Sequence, residues 1–165
     1  MEPTTIGAGA VIAYLLLSGD SFELARWTIT ETGLPNKPDA TALANLKMLA
    51  RHMEKIYNDA KEVGAISGDL RITSAYRSSA VNTAVGGSRT SEHLWGLACD
   101  FFVPSPNIFY LKMRQLLTSS VYGRIHQVIV YPNSTHVHIG WYGNDDTRTA
   151  RQFLKYVDGV YTNLS

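Results

Sequence analysis

Between Asp39 and Val63 the apolar residues Leu43, Leu46, Leu49, Ala50, Met53, Ile56, Tyr57 and Ala60 recur at helical spacing. Asp39 or Thr41 can cap such a helix and Gly64 can end it. A long amphipathic helix must lay its stripe against another apolar surface, so the rest of the chain has to provide one. Leu70 to Ala75 alternates as a strand does, and Leu97 to Val103 reads as a buried strand. Ile125 to Tyr131 and His136 to Tyr142 read as a strand pair turned at Pro132-Asn133-Ser134. Ser78 to Val85 reads as a short helix, Gly86 to Ser91 as a loop, Asn107 to Ser119 as a helix, and Arg148 to Val157 as a closing helix.

A chain of 165 residues fits one domain with its own core. With 15 basic and 14 acidic side chains, its net charge of +1 gives no electrostatic reason to expect nucleic acid or an anionic membrane as partner. Cys99 is the only cysteine, which excludes an intrachain disulfide and a zinc-thiolate cluster. Ile6 to Leu17 is the most apolar stretch, yet it is shorter than the roughly 18 residues a membrane span requires. Met1-Glu2 lacks the basic start of a signal peptide, so neither a cleaved leader nor a membrane span is expected.

The five histidines differ in what surrounds them. His52 lies on the long helix between charged neighbours and is read as a solvated surface residue, while His126 opens a strand and is read as structural. His136 and His138 are two apart in a strand and therefore share a face, with Gly140 leaving space beside them. The same count sets Asp100 beside Ala98, opposite the face of Leu97, Cys99, Phe101 and Val103. If these strands are neighbours, His93 from the incoming loop, Asp100 and His138 can converge on one metal. Two imidazoles and a carboxylate suit Zn²⁺ with a fourth position open. The same spacing also suits buried histidines bonded to backbone.

Ser91-x-His93-x-x-Gly96-x-Ala98-x-Asp100 resembles the S-x-H-x-x-G-x-A-x-D signature of zinc peptidases that include D-alanyl-D-alanine carboxypeptidases and L-alanyl-D-glutamate endopeptidases. Ile72 to Ser78 is similar to that family's ITSGYRS strand, Val81 to Ser88 to its VNxAVGGS loop, and Val137-His138-Ile139 to its closing ligand strand. Phe22-Glu23-Leu24 and Leu34 to Pro38 resemble its opening segment. The resemblance implies an α+β fold in which a small antiparallel sheet carries helices on one side. It implies zinc bound by His93, Asp100 and His138, with Gly96 and Ala98 letting the chain turn and pack closely between the first two. Arg77 matches an arginine that binds a substrate carboxylate or steadies an oxyanion, and Ser88 is a substrate-binding candidate beside its turn-stabilising role. The implied layout is an apolar arm at 1–17, a peptidase-like domain at 18–142 and a packed extension at 143–165.

One element of the family pattern is missing. Many members carry a catalytic glutamate about six residues before the last histidine, where this chain has Tyr131 and Pro132, and no Asp or Glu occurs between Phe101 and Gly143. Some branches end instead in His-x-His, which makes His136 the replacement proton carrier, its imidazole having an ordinary pKa of about 6.5. Glu92, the immediate neighbour of a ligand, is expected to point away. The expected substrate is the peptidoglycan stem peptide, cut at bonds involving D-amino acids, by a phage endolysin or a virion-associated wall hydrolase. That places the protein in the host cytoplasm before lysis or in the virion. The alternative is a catalytically impaired structural or binding protein of a phage tail, docked to phage proteins through the N-terminal arm.

Overall fold

The computed structural model describes residues 22–143, 146–148 and 150–164; the apolar arm at 1–17 lies outside the described residues. A short helix α1 (Leu24–Trp27) precedes the long helix α2 (Ala40–Glu62). The Asp39 carboxylate caps α2 by accepting from the Ala42 amide at 2.8 Å. At its far end Gly64 has φ of 65°, and its amide and that of Ala65 return to the Lys61 and Ala60 carbonyls, a Schellman closure that needs a residue tolerant of the left-handed region.

Strand β1 (Ile72–Ser74), helix α3 (Ser79–Ala84), a 3₁₀ turn at Glu92–Trp95 and strand β2 (Ala98–Phe102) follow. Then come α4 (Pro106–Thr118), β3 (Ile125–Val130), β4 (His136–Trp141), β5 (Gln152–Val157) and β6 (Val160–Asn163). The strands form one sheet in the order β1-β2-β4-β3-β5-β6. The fold is α+β. Through β1, β2, β4 and β3 the pairing is antiparallel, as expected, whereas β5 joins β3 in parallel and makes the sheet mixed.

One face of this sheet is the core. Cys99, Phe101, Val128, Val130, Val137 and Ile139 meet Leu46, Leu49, Met53 and Ile56 of α2 and Phe109, Met113 and Leu117 of α4. Both long helices thus bury their stripes on the same side, which leaves the other face of the sheet for chemistry. No described helix is long and apolar enough to cross a membrane.

The C-terminal segment is a correction. Arg148 to Val157 forms no helix; residues 152–163 are a β-hairpin. Asp158 and Gly159 form its two-residue turn with φ of 49° and 85°, the doubly positive geometry that matches strand twist and that Asp-Gly favours. The aromatic and β-branched residues on both sides of the turn suit strands; β5 is half-buried over most of its length and the edge strand β6 is exposed throughout.

Candidate active site

The register of the sheet puts Asp100 of β2 directly opposite His138 of β4. His138 Nδ1 lies 2.8 Å from Asp100 Oδ1. His93 comes from the 3₁₀ turn, and its Nε2 sits 3.3 Å from His138 Nδ1 and 3.4 Å from Asp100 Oδ2. These three donors form the group among the described residues that can hold a metal ion.

The turn that delivers His93 depends on Gly96, whose φ is 68° and whose β-carbon, if it had one, would lie 2.6 Å from the Ala42 carbonyl oxygen. Ala98, fully buried, pairs with Gly140 across β4. Small residues thus allow α2, β2 and β4 to close around the two ligands, as the resemblance implies.

The geometry and chemistry of the trio fit zinc. The His93 Nδ1 lies 2.5 Å from the Ala75 carbonyl, which can only accept, so the proton sits on Nδ1 and Nε2 presents a lone pair to the centre. Tetrahedral zinc with bonds of about 2.0–2.1 Å to nitrogen would set its ligand atoms roughly 3.3 Å apart, which matches the His93 to His138 separation. Burial pushes the His93 pKa down, against the pull of Asp100, and so favours the neutral ligand form. Burial acts to raise the Asp100 pKa, but His93 and His138 outweigh it and hold the carboxyl well below its usual range.

Arg77, in the loop between β1 and α3, supports this centre. Its Nη2 donates to Asp100 Oδ2 at 2.7 Å and its Nε to Ser74 Oγ at 2.9 Å. The backbone around it is pinned by Asn36, which donates to the Tyr76 carbonyl and accepts from the Ser78 amide. Ser88 is exposed on the rim; its Oγ accepts from the Thr90 amide, and it also lines the main cavity.

That cavity, about 790 Å³, opens over His93, Asp100 and His138. His136 shares the sheet face but does not line it: its Nδ1 is 2.5 Å from Ser134 Oγ and its ring stacks on Tyr131. His52, read as a solvated surface residue, is half-buried and stacks its ring on Trp141.

Glu92 does not point away. Its carboxylate is buried in the cavity wall, with Oε1 3.1 Å from Arg148 Nη1 and 2.5 Å from His126 Nδ1, the latter approach too oblique for a good hydrogen bond. His126 reaches this face because a β-bulge between Ile125 and Gln127 inserts an extra residue opposite β4. Glu92, His126 and Arg148 are the site residues that sequence reasoning missed.

The family model described as Peptidase M15 matches residues 23–140. No curated protein matches the chain.

Proposed function

The chain belongs to the peptidase M15 family, and from that premise we propose that it is a zinc peptidase hydrolysing D-amino-acid-containing bonds in peptidoglycan stem peptides, as a phage endolysin or virion-associated wall hydrolase. Members of this family are zinc-dependent metallopeptidases acting on cell-wall peptides. The observation that carries the reading is the buried trio of His93, Asp100 and His138, whose donor atoms share one centre beneath an open cavity.

Those three residues would hold the zinc. When bound, it supplies a Lewis acid beside the scissile carbonyl and activates water near neutral pH. Arg77 keeps Asp100 oriented and offers positive charge where a substrate carboxylate or a developing oxyanion would sit. Ser88 hydrogen-bonds the peptide at the rim. His136 carries the proton to the leaving amine; Glu92 competes for that role, because its carboxylate lines the cavity while the His136 imidazole is engaged by Ser134.

The test combines metal analysis with digestion of purified peptidoglycan. We expect about one zinc per chain and zinc-dependent release of new amino groups. Loss of release in His136→Ala with retention in Glu92→Gln assigns the proton to His136, and the reverse assigns it to Glu92. Zinc-repleted protein that binds no metal would end this reading. A metal-bound protein as inactive as both variants would instead be a wall- or virion-binding protein on the peptidase fold, a reading favoured by the missing carboxylate at 131–132.

A further inference from the structure

Five aromatic side chains form a row across the site face of the sheet, one from each of five chain positions in register. Phe102 of β2 is paired with His136 of β4. His136 stacks on Tyr131, just past β3, with ring centroids 4.3 Å apart. Tyr131 meets Tyr156 of β5 at 5.6 Å, and Tyr156 meets Tyr161 of β6 at 4.7 Å. Four strand spacings make the row roughly 19 Å long.

Cross-strand aromatic pairs stabilise sheets, but this row has features that stability does not require. Tyr161 is 54% exposed on an edge strand, where a large aromatic is a liability unless it serves a contact. Phe102, Tyr131, His136 and Tyr156 are all only half-buried. Tyr131 and Tyr161 also line the cavity above the metal-binding trio, so the row continues directly from the peptide cleft. Phe102, Tyr131 and His136 lie within the residues that match the family, 23–140, and Tyr156 and Tyr161 beyond them, so the outer end of the row is added by the C-terminal hairpin.

We propose that this row binds the glycan strand from which the stem peptide hangs. The occupant follows from continuity with the cleft, and in that respect the inference rests on the cell-wall peptide reading. A stem peptide is attached covalently to a sugar, so a peptide seated over His93, Asp100 and His138 has a saccharide at one end. Pyranose rings present faces of weakly positive C–H groups, which suit the negative faces of aromatic rings, and the tyrosine hydroxyls can bond to sugar hydroxyls.

Titrating the zinc-loaded protein with a peptide-free oligosaccharide of N-acetylglucosamine, followed by NMR, tests this without any hydrolysis. Resonances of the row should shift on adding the sugar. Tyr156→Ala and Tyr161→Ala should each weaken binding by roughly fivefold, as expected for losing one aromatic contact, while Tyr161→Phe retains most of it. Absence of binding, or affinity unchanged in both alanine variants, overturns the proposal. So do shifts that follow protein concentration and not added sugar, which would mark a second copy of the chain as the occupant. Sugar binding in a protein that releases no amino groups would leave the glycan site standing and remove the peptidase reading; hydrolysis without sugar binding would do the opposite.

Discussion

Glu92 Oε2 lies 2.8 Å from the point a β-carbon would occupy on Gly140. The glycine on the ligand strand is therefore the space in which the carboxylate sits. Gly140→Ala should push Glu92 out of place, and since its Oε1 is held by Arg148 the side chain cannot simply swing free. We expect a loss of about 1–3 kcal/mol in stability, the usual cost of overpacking, measured by denaturant unfolding. Zinc affinity should be unchanged, because the nearest His138 atom would be at an ordinary 3.6 Å.

Gly96 is under a harsher constraint. A β-carbon there would meet the Ala42 backbone oxygen at 2.6 Å, and the φ of 68° is itself unfavourable for an L side chain. Gly96→Ala combines roughly 1–2 kcal/mol for the left-handed conformation with about 1–3 kcal/mol for overpacking. It should also displace His93 and weaken zinc binding. Gly159→Ala offers the control, having a φ of 85° but open space around it, and should show the conformational cost alone.

Strand periodicity set Asp100 and His138 each on one face, and the pairing of β2 with β4 brings them together; on spacing alone buried structural histidines explain the pattern as well, and it is the resemblance of Ser91 to Asp100 to the zinc-peptidase signature that singles out these two with His93. Glu92 was harder to read. It lies in a single 3₁₀ turn, where adjacent side chains diverge, and its partner Arg148 is 56 residues away. His126 was misplaced for a definite reason, since period-two counting fails at a bulge. The C-terminal hairpin carries a signal in Asp158-Gly159, a turn pair that lies just past the 148–157 stretch and that a helical reading of that stretch leaves out.

Removing the metal should cost stability as well as activity. Zinc that binds the folded trio and not the unfolded chain adds about 4 kcal/mol at a thousandfold excess over Kd. For a domain of this size, that corresponds to a fall in Tm on the order of 10 °C with chelator. His93→Ala should melt at the same temperature with and without zinc. A chelator that leaves the wild-type Tm unmoved would contradict the site.

The Asp146–Arg148 pair, on the cavity wall beside Glu92, gives a pH prediction that involves none of the metal ligands themselves. Hydrogen bonds from Arg148 hold the Asp146 carboxyl down at about 2, below its usual 3.8. Because the folded-state value is the lower one, the pair's stabilisation is complete above the unfolded value of 3.8 and disappears as pH falls through about 2. NMR titration of the Asp146 carboxyl carbon should show a midpoint near 2 in the wild type, moving towards 3.8 in Arg148→Ala. The same substitution removes a partner from Glu92, so it should also lower turnover if Glu92 contributes to the cleft. A wild-type midpoint already near 3.8 would mean that Arg148 is not held by Asp146 in solution.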